Sequence, residues 1–392
     1  MKFGRYLAVM ASSWMIAAAA VIGVNLLVDA LGILPVRVEI AGFNEWKPLR
    51  VQYDWIVKRF EVRQHQPTTI FMGSSRIKQT IDPGLLAGTA FAPAYNGALN
   101  GSADLREIGA YLRDYRKADR NLRHVYIEVF PSSLLAYREP IWMARLRIPN
   151  DIADYASVFF SMSGLSNSIR TVSLNRDEKA GTPTPGSFDN GFAPISLATH
   201  HFSVRNVYNF VLHQRVLDRR LVLSPGMIEA ARRVIEECRP YQVECRFFLS
   251  PLHADVLAAA YYLDLWPQLE KLKRVLTELA PTYDFTRYSH LIDERVGPVV
   301  YWPEAFHFSP ALGELMVRKM TGSSMTDVPD NFGTILDPEN IELNLAAWRD
   351  ERDQWLARNP DALERMRRAD ENYRRGVSFK QVTDAELAAG GW

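Results

Sequence analysis

Thr69-Ile70-Phe71-Met72-Gly73-Ser74-Ser75-Arg76 reads as a buried strand that stops at a tight turn. The apolar run ends abruptly in glycine and two serines. Glycine permits the sharp turn, and the turn leaves the next side chains and N–H groups at the edge of a sheet. The segment from Ile77 to Leu86 carries a Pro83-Gly84 break and reads as the start of a helix. One reading of Gly-Ser-Ser is a strand-to-helix turn with a capping serine. The other is a hydroxyl presented for chemistry, and so short a motif does not decide between them.

Working outward, the same rhythm recurs. A second strand-like run ends at Tyr95-Asn96-Gly97-Ala98-Leu99-Asn100-Gly101-Ser102. Asp104 to Arg116 then has helical spacing, with Leu105, Ile108, Tyr111 and Leu112 on one face. His124 to Phe130 is another strand, stopped by Pro131 and followed by Ser132 and Ser133. Strand, helix, strand at this spacing predicts a parallel sheet built from βαβ units. Leu134 to Arg220 breaks the rhythm and contains the loop Thr182-Pro183-Thr184-Pro185-Gly186, so residues 134–222 read as a helical insertion over the crevice. Alternation resumes with a helix from Ser224-Pro225-Gly226 and a strand from Cys245 to Leu249, ending at Ser250-Pro251-Leu252-His253. Ala254 to Leu279 is predicted helical, and Tyr283 to Thr286 a short strand. The main domain is bounded at 66–320. Residues 321–392 read as a charged helical tail, in which Leu343 to Arg374 is an amphipathic helical segment that can pack on the domain, its charge run forming a solvated face rather than a binding site.

The N-terminus has its own signature. Lys2 and Arg5 precede an uncharged stretch from Tyr6 to Val28, long enough to span a bilayer at about 20 residues per crossing. Positive charge before the span predicts residues 1–5 in the cytoplasm and everything after Asp29 across the membrane. A cleaved signal peptide is the rival, with Ala17 to Ala20 as cleavage residues. The apolar run continues past them through Leu26-Leu27-Val28, which favours a retained anchor in a bacterial inner membrane. Residues 29–65 read as a stem that becomes a helix before Pro67.

Lys plus Arg number 46 against 45 Asp plus Glu in 392 residues, a net charge of +1. Neither a global field nor a basic tract is present to attract nucleic acid. His200-His201 has no carboxylate or Cys at ligand-like spacing, so no metal is expected there. A dinucleotide or nucleotide cofactor is not expected either: no G-x-G-x-x-G follows the first strand, and Gly73-Ser74-Ser75 lacks a P-loop lysine. Cys238 and Cys245 flank a short turn, and they can be a disulfide or two buried thiols.

A second motif lies far downstream, Tyr301-Trp302-Pro303-Glu304-Ala305-Phe306-His307-Phe308-Ser309-Pro310. A carboxylate three residues before a histidine, in a loop entering a helix, can accept from one ring nitrogen. That fixes the tautomer and leaves the other nitrogen as a base. A serine hydroxyl needs such a base, and Ser75 is the recipient this predicts.

Together the two motifs resemble the SGNH (GDSL-like) hydrolase superfamily over roughly residues 66 to 320. Gly73-Ser74-Ser75-Arg76 stands where that family carries Gly-Asp-Ser-Leu, which implies Ser75 as the nucleophile. Glu304 and His307 stand where it carries its acid and base. Asn96 to Ser102 resembles the second block, which implies an oxyanion hole from the N–H groups of Ser75 and Gly101, with Asn100 as a further donor. The acid is Glu rather than Asp, and the third block, Gly-x-Asn-Asp, is replaced by Glu128-Val129-Phe130-Pro131-Ser132. The resemblance implies a three-layer α/β/α sandwich with a mainly parallel sheet. It is closest to the membrane-anchored branch whose relatives assist O-acetylation of exopolysaccharides or D-alanylation of teichoic acid. It therefore implies a glycan or acyl-carrying substrate, and a membrane-bound O-acyltransferase as partner. Ser74, Ser132, His253 and Trp302 are expected to line the pocket, Trp302 or Phe306 supplying an aromatic face for sugar. The rival is a non-catalytic scaffold of the same shape.

Overall fold

The computed structural model describes residues 2–36, 38–99, 104–118, 121–130, 135–136, 149–177, 190–194, 222–293, 301–303, 307–323 and 328–375. The turn at Gly73 is the end of a strand, as its apolar run requires. β1 (Thr69–Met72) is buried along its length and pairs in parallel with β2 (Ala94–Asn96) and β3 (His124–Val129). β6 (Glu244–Leu249) pairs with β3, β7 (Thr282–Asp284) with β6, both in parallel. The sheet has six strands in the order β2-β1-β3-β6-β7-β8, the last being Thr334–Leu336.

Alternation along each strand divides the core in two. Phe71, Tyr126, Phe248 and Tyr283 join one cluster, and Ile70, Val125, Ile127 and Phe247 the other. The second cluster is closed by α4 (Leu105–Ala118), α7 (Pro225–Cys238) and α9 (Trp266–Leu279), through Tyr111, Val234 and Leu276. The first is closed by α8 (Ala254–Tyr262), α10 (Pro310–Met320) and α11 (Ile341–Arg358), through Leu257, Met316 and Trp348. A sheet buried on both faces needs continuous apolar strands rather than a polar-apolar alternation. Thr-Ile-Phe-Met and Val-Tyr-Ile supply them.

The charged tail packs on the domain. β8 (Thr334–Leu336) adds to β7 antiparallel, and Trp348 of α11 stacks on Trp266 at 4.0 Å between ring centres. α12 (Asp361–Arg374) packs back on α8, burying Ala362 and Met366. The sheet therefore runs past residue 320, where the sequence reading ended the domain.

α1 (Lys2–Val28) is long and apolar enough to cross a membrane. The segment after it, read as a stem, is tightly packed. Leu31, Ile33, Leu49, Ile56 and Val57 form a third cluster with Val158 and Phe159. α2 (Asp54–His65) buries Lys58 and Arg59. Lys58 Nζ donates to the carbonyls of Asn96, Ala98 and Gly191 at 2.7, 2.6 and 2.9 Å, and burial lowers its pKa well below that of a free lysine. Arg59 binds Asp114 of α4 at 3.0 Å and Asp151 and Asp154 of α5 (Asp151–Phe159). Within the insertion, α6 (Met162–Arg176) follows α5. Its two ends are pinned by an antiparallel pair, β4 (Leu135–Ala136) with β5 (Val222–Leu223). Cys238 and Cys245 are joined as a disulfide with Cα atoms 6.1 Å apart.

Candidate active site

The site begins at the end of β1. Ser74 is extended at φ −95°, ψ −170°, and its Oγ accepts from the N–H of Arg76 at 3.3 Å. It is the cap of α3 (Ser75–Thr80), since a serine oxygen satisfies a first-turn N–H that has no partner inside the helix. Ser74, expected to line the pocket, is buried, and its hydroxyl serves the cap. Ser75, the next residue, is only partly covered.

Beneath the turn lies a carboxylate. Glu128 of β3 is fully buried. Its Oε2 accepts from the N–H of Ser74 at 2.7 Å and its Oε1 from Arg76 Nε at 2.9 Å. Burial would raise its pKa, but the Arg76 charge and the hydrogen bonds from Arg76 and Ser74 outweigh that and hold it below the usual value. The Arg76 guanidinium also lies 3.4 Å from the centre of the Phe130 ring. Gly73 makes the approach possible. A Cβ there would stand 2.7 Å from Glu128 Cβ and Oε2 and 2.8 Å from Ile77, closer than any side chain tolerates. Neither Glu128 nor Arg76 was expected in the site. The signal was present: an acid inside an apolar strand must be buried with a partner, and an arginine follows the serines.

His307 arrives from the far end of the chain. Its Nε2 lies 2.9 Å from Ser75 Oγ. With the proton on Nδ1, Nε2 accepts the serine hydroxyl. The loop that carries it closes where the N–H of Ser309 donates to the carbonyl of Tyr301 at 2.7 Å, and Pro310 then opens α10. α10 lies directly on α3. Gly313 faces Thr80 so closely that a Cβ would overlap the Thr80 carbonyl. The helix after the histidine is thereby registered against the helix after the serine.

Two expected pocket residues are instead part of the foundation. Trp302 is fully buried, its Nε1 donating to the carbonyl of Leu291 at 2.9 Å, so it offers no face to a sugar. His253 is 2% exposed. Its Nδ1 accepts from the N–H of Asp255 at 3.2 Å as the cap of α8, and its ring meets Trp302 edge-on at 5.5 Å. Ser250 is fully buried as well. The first residues after β2 do reach the turn: Gly97 and Leu99 donate to the carbonyls of Phe71 and Gly73 at 2.8 and 2.9 Å. Asn100, Gly101, Ser132, Ser133, Glu304, Phe306 and the His200-His201 pair lie outside the described residues. Among the described residues, no group of three or more His, Cys, Asp or Glu is set to hold a metal ion.

The arrangement can move a proton from a hydroxyl to an imidazole at the rim of a parallel sheet, outside the carboxyl ends of its strands, where such sheets bind ligands. No protein-family model matches the chain, and no curated protein is significantly similar to it.

Proposed function

We propose that the protein is a membrane-anchored serine esterase or O-acyltransferase that works outside the cytoplasm on a cell-surface or exopolysaccharide glycan. The frame would be the three-layer α/β/α sandwich of SGNH hydrolases. The observation that carries the reading is the 2.9 Å approach of Ser75 Oγ to His307 Nε2 at a strand-to-helix turn. In the step this supports, Oγ attacks an acyl carbonyl carbon while its proton passes to Nε2. The ester or carrier bond then breaks, the leaving group takes that proton, and the acyl group stays on Ser75. A sugar hydroxyl or water removes it by the same path in reverse. Glu304 is assigned to His307, and Asn100 and Gly101 to the developing oxyanion. An acyl-carrying substrate or a membrane-bound O-acyltransferase would supply the acyl group.

A fluorophosphonate probe tests this without knowledge of the substrate. The parent should be labelled on Ser75, identified by peptide mass. Ser75→Ala should take no label, and His307→Ala should label at least about 10²-fold more slowly, the scale of general-base assistance. An unlabelled parent with intact fold would mean that the pair is structural, as in a non-catalytic scaffold.

A further inference from the structure

The corner between α5 and α6 sits beside α1 at the depth of Asn25. That asparagine is a polar break after the apolar stretch from Trp14 to Val24 of α1, and it is 1% exposed. Its Nδ2 donates to the carbonyls of Phe159 and Ser161 at 3.1 and 3.3 Å, and its Oδ1 accepts from Ser168 Oγ at 2.9 Å. A polar side chain in hydrocarbon must be satisfied by protein, and this corner satisfies it. Asn25 precedes the last residue of α1 by three positions, a depth of about 4.5 Å at 1.5 Å per residue.

The corner is dressed for lipid. From Tyr155 to Ile169 there is no charged residue, in a chain that is 23% charged. At its tip Phe160 and Met162 are 61% and 69% exposed, and Ile169 stands exposed behind them. On the other side, the turn bearing exposed Val38 and Ile40 wraps the end of α1. Asn44 Nδ2 in that turn donates to the carbonyls of Leu27, Val28 and Val38. Exposed apolar side chains thus stand on both segments at the exit of α1, with the exposed Glu39 between Val38 and Ile40.

The same contacts set the orientation of the sheet. Lys47 Nζ donates to the carbonyl of Val28 at 2.8 Å. The next element begins at Asp54, which pairs with Lys78 of α3 at 2.9 Å, and Lys78 also reaches the Val51 carbonyl at 3.3 Å. α2 then leads away from α1, its final residue His65 meeting the Ala94 carbonyl at the start of β2. The strands therefore point their carboxyl ends, and Ser75, back toward α1.

We propose that the Phe160–Met162 corner and the Val38–Ile40 turn are embedded in the interfacial layer of the bilayer around α1, and that they seat the domain with Ser75 on its membrane-facing end. Shallow apolar insertion of this kind reaches about 5–10 Å into the headgroup and acyl boundary, which accommodates the depth of Asn25. The proposal depends on α1 crossing the membrane, and the test separates the two.

The full chain, its Cys238–Cys245 disulfide intact, is reconstituted in phosphatidylcholine–phosphatidylglycerol vesicles as variants that each add one cysteine, labelled with an environment-sensitive dye. Phe160→Cys and Met162→Cys report the corner, Ile16→Cys the anchor, and Tyr241→Cys an exposed reference near the start of β6. Quenching by brominated lipid at 160 and 162 should exceed that at 241 several-fold, with blue-shifted emission. Energy transfer to lipid-surface acceptors should be stronger from Ser75→Cys than from Tyr241→Cys. Quenching at 16 but only reference-level quenching at 160 and 162 overturns the proposal and leaves the anchor standing. Equal transfer from 75 and 241 overturns the orientation. No quenching at 16 removes the anchor and the proposal together.

Discussion

Replacing Glu128 by Gln should be among the most damaging isosteric changes in the protein. The carboxylate is fully buried and the Arg76 side chain is 10% exposed. The amide keeps the shape, but it cannot neutralise the guanidinium, and its NH₂ must face either Arg76 Nε or the N–H of Ser74. Removing one member of a buried ion pair costs about 3–5 kcal/mol, because the survivor stays buried and uncompensated. Urea denaturation of the full chain in micelles should show a loss of that size for Glu128→Gln. Chemistry should suffer separately. The lost acceptor is the one that holds the N–H of Ser74, one residue before Ser75. A displacement of the nucleophile by about 1 Å is worth about 10²-fold in rate, so fluorophosphonate labelling should slow on that scale under conditions where the variant is still folded. Adding Arg76→Met should recover part of the stability, since no buried charge is then left uncompensated. It should recover part of the labelling as well, because the amide oxygen at position 128 is then free to accept from the N–H of Ser74. A Glu128→Gln variant within about 1 kcal/mol of the parent, below the range for a broken buried pair, and labelled at the parental rate would refute the idea that this carboxylate builds the turn.

Gly313→Ala should destabilise by about 1–3 kcal/mol through overpacking against Thr80 and slow labelling by moving His307; an unchanged melting temperature would show that α10 can shift freely. The pH dependence has a definite sign. Glu128 is held below its usual pKa in the folded protein, so its contribution is complete above the unfolded value of about 4.3. It disappears as pH falls through the lower folded value. The stability difference between parent and Glu128→Gln should therefore shrink on acidification below about pH 4; a difference that grew there would mean the carboxyl is buried protonated. Replacing Cys238 and Cys245 by Ala should lower stability by about 2–3 kcal/mol, the loop-closure value for so short a loop; unchanged denaturation midpoints would show that the bridge constrains nothing.

How much of this was legible in the sequence depended on whether a residue's role was local. The Gly73 turn, the parallel strands on either side of it and the entry to α10 each carry their own signals in glycine, proline and apolar runs. The approach of Ser75 to His307 could be expected because each motif has a chemical shape of its own. β8 was missed because a three-residue edge strand, with Ile335 exposed, carries no periodicity long enough to read. Trp302 was misplaced for the opposite reason. An aromatic beside a base suits a sugar platform or a core plug equally well, and only packing decides. Glu128 had to be recognised by what it lacks, a partner, and that partner sits 52 positions away across two strands.

The way the tail completes the sheet bears on when the site comes into being. Ser75 and His307 are 232 positions apart, and the β7 edge stays open until residues 334–336 add to it. Contacts so distant along the chain form late, because loop closure must precede their reward. A ribosome therefore releases almost the whole polypeptide before its hydroxyl has a base. The same delay leaves the β7 edge and the first core cluster bare on a nascent chain, so this protein should lean on chaperones while it folds more heavily than its net charge or size alone would suggest.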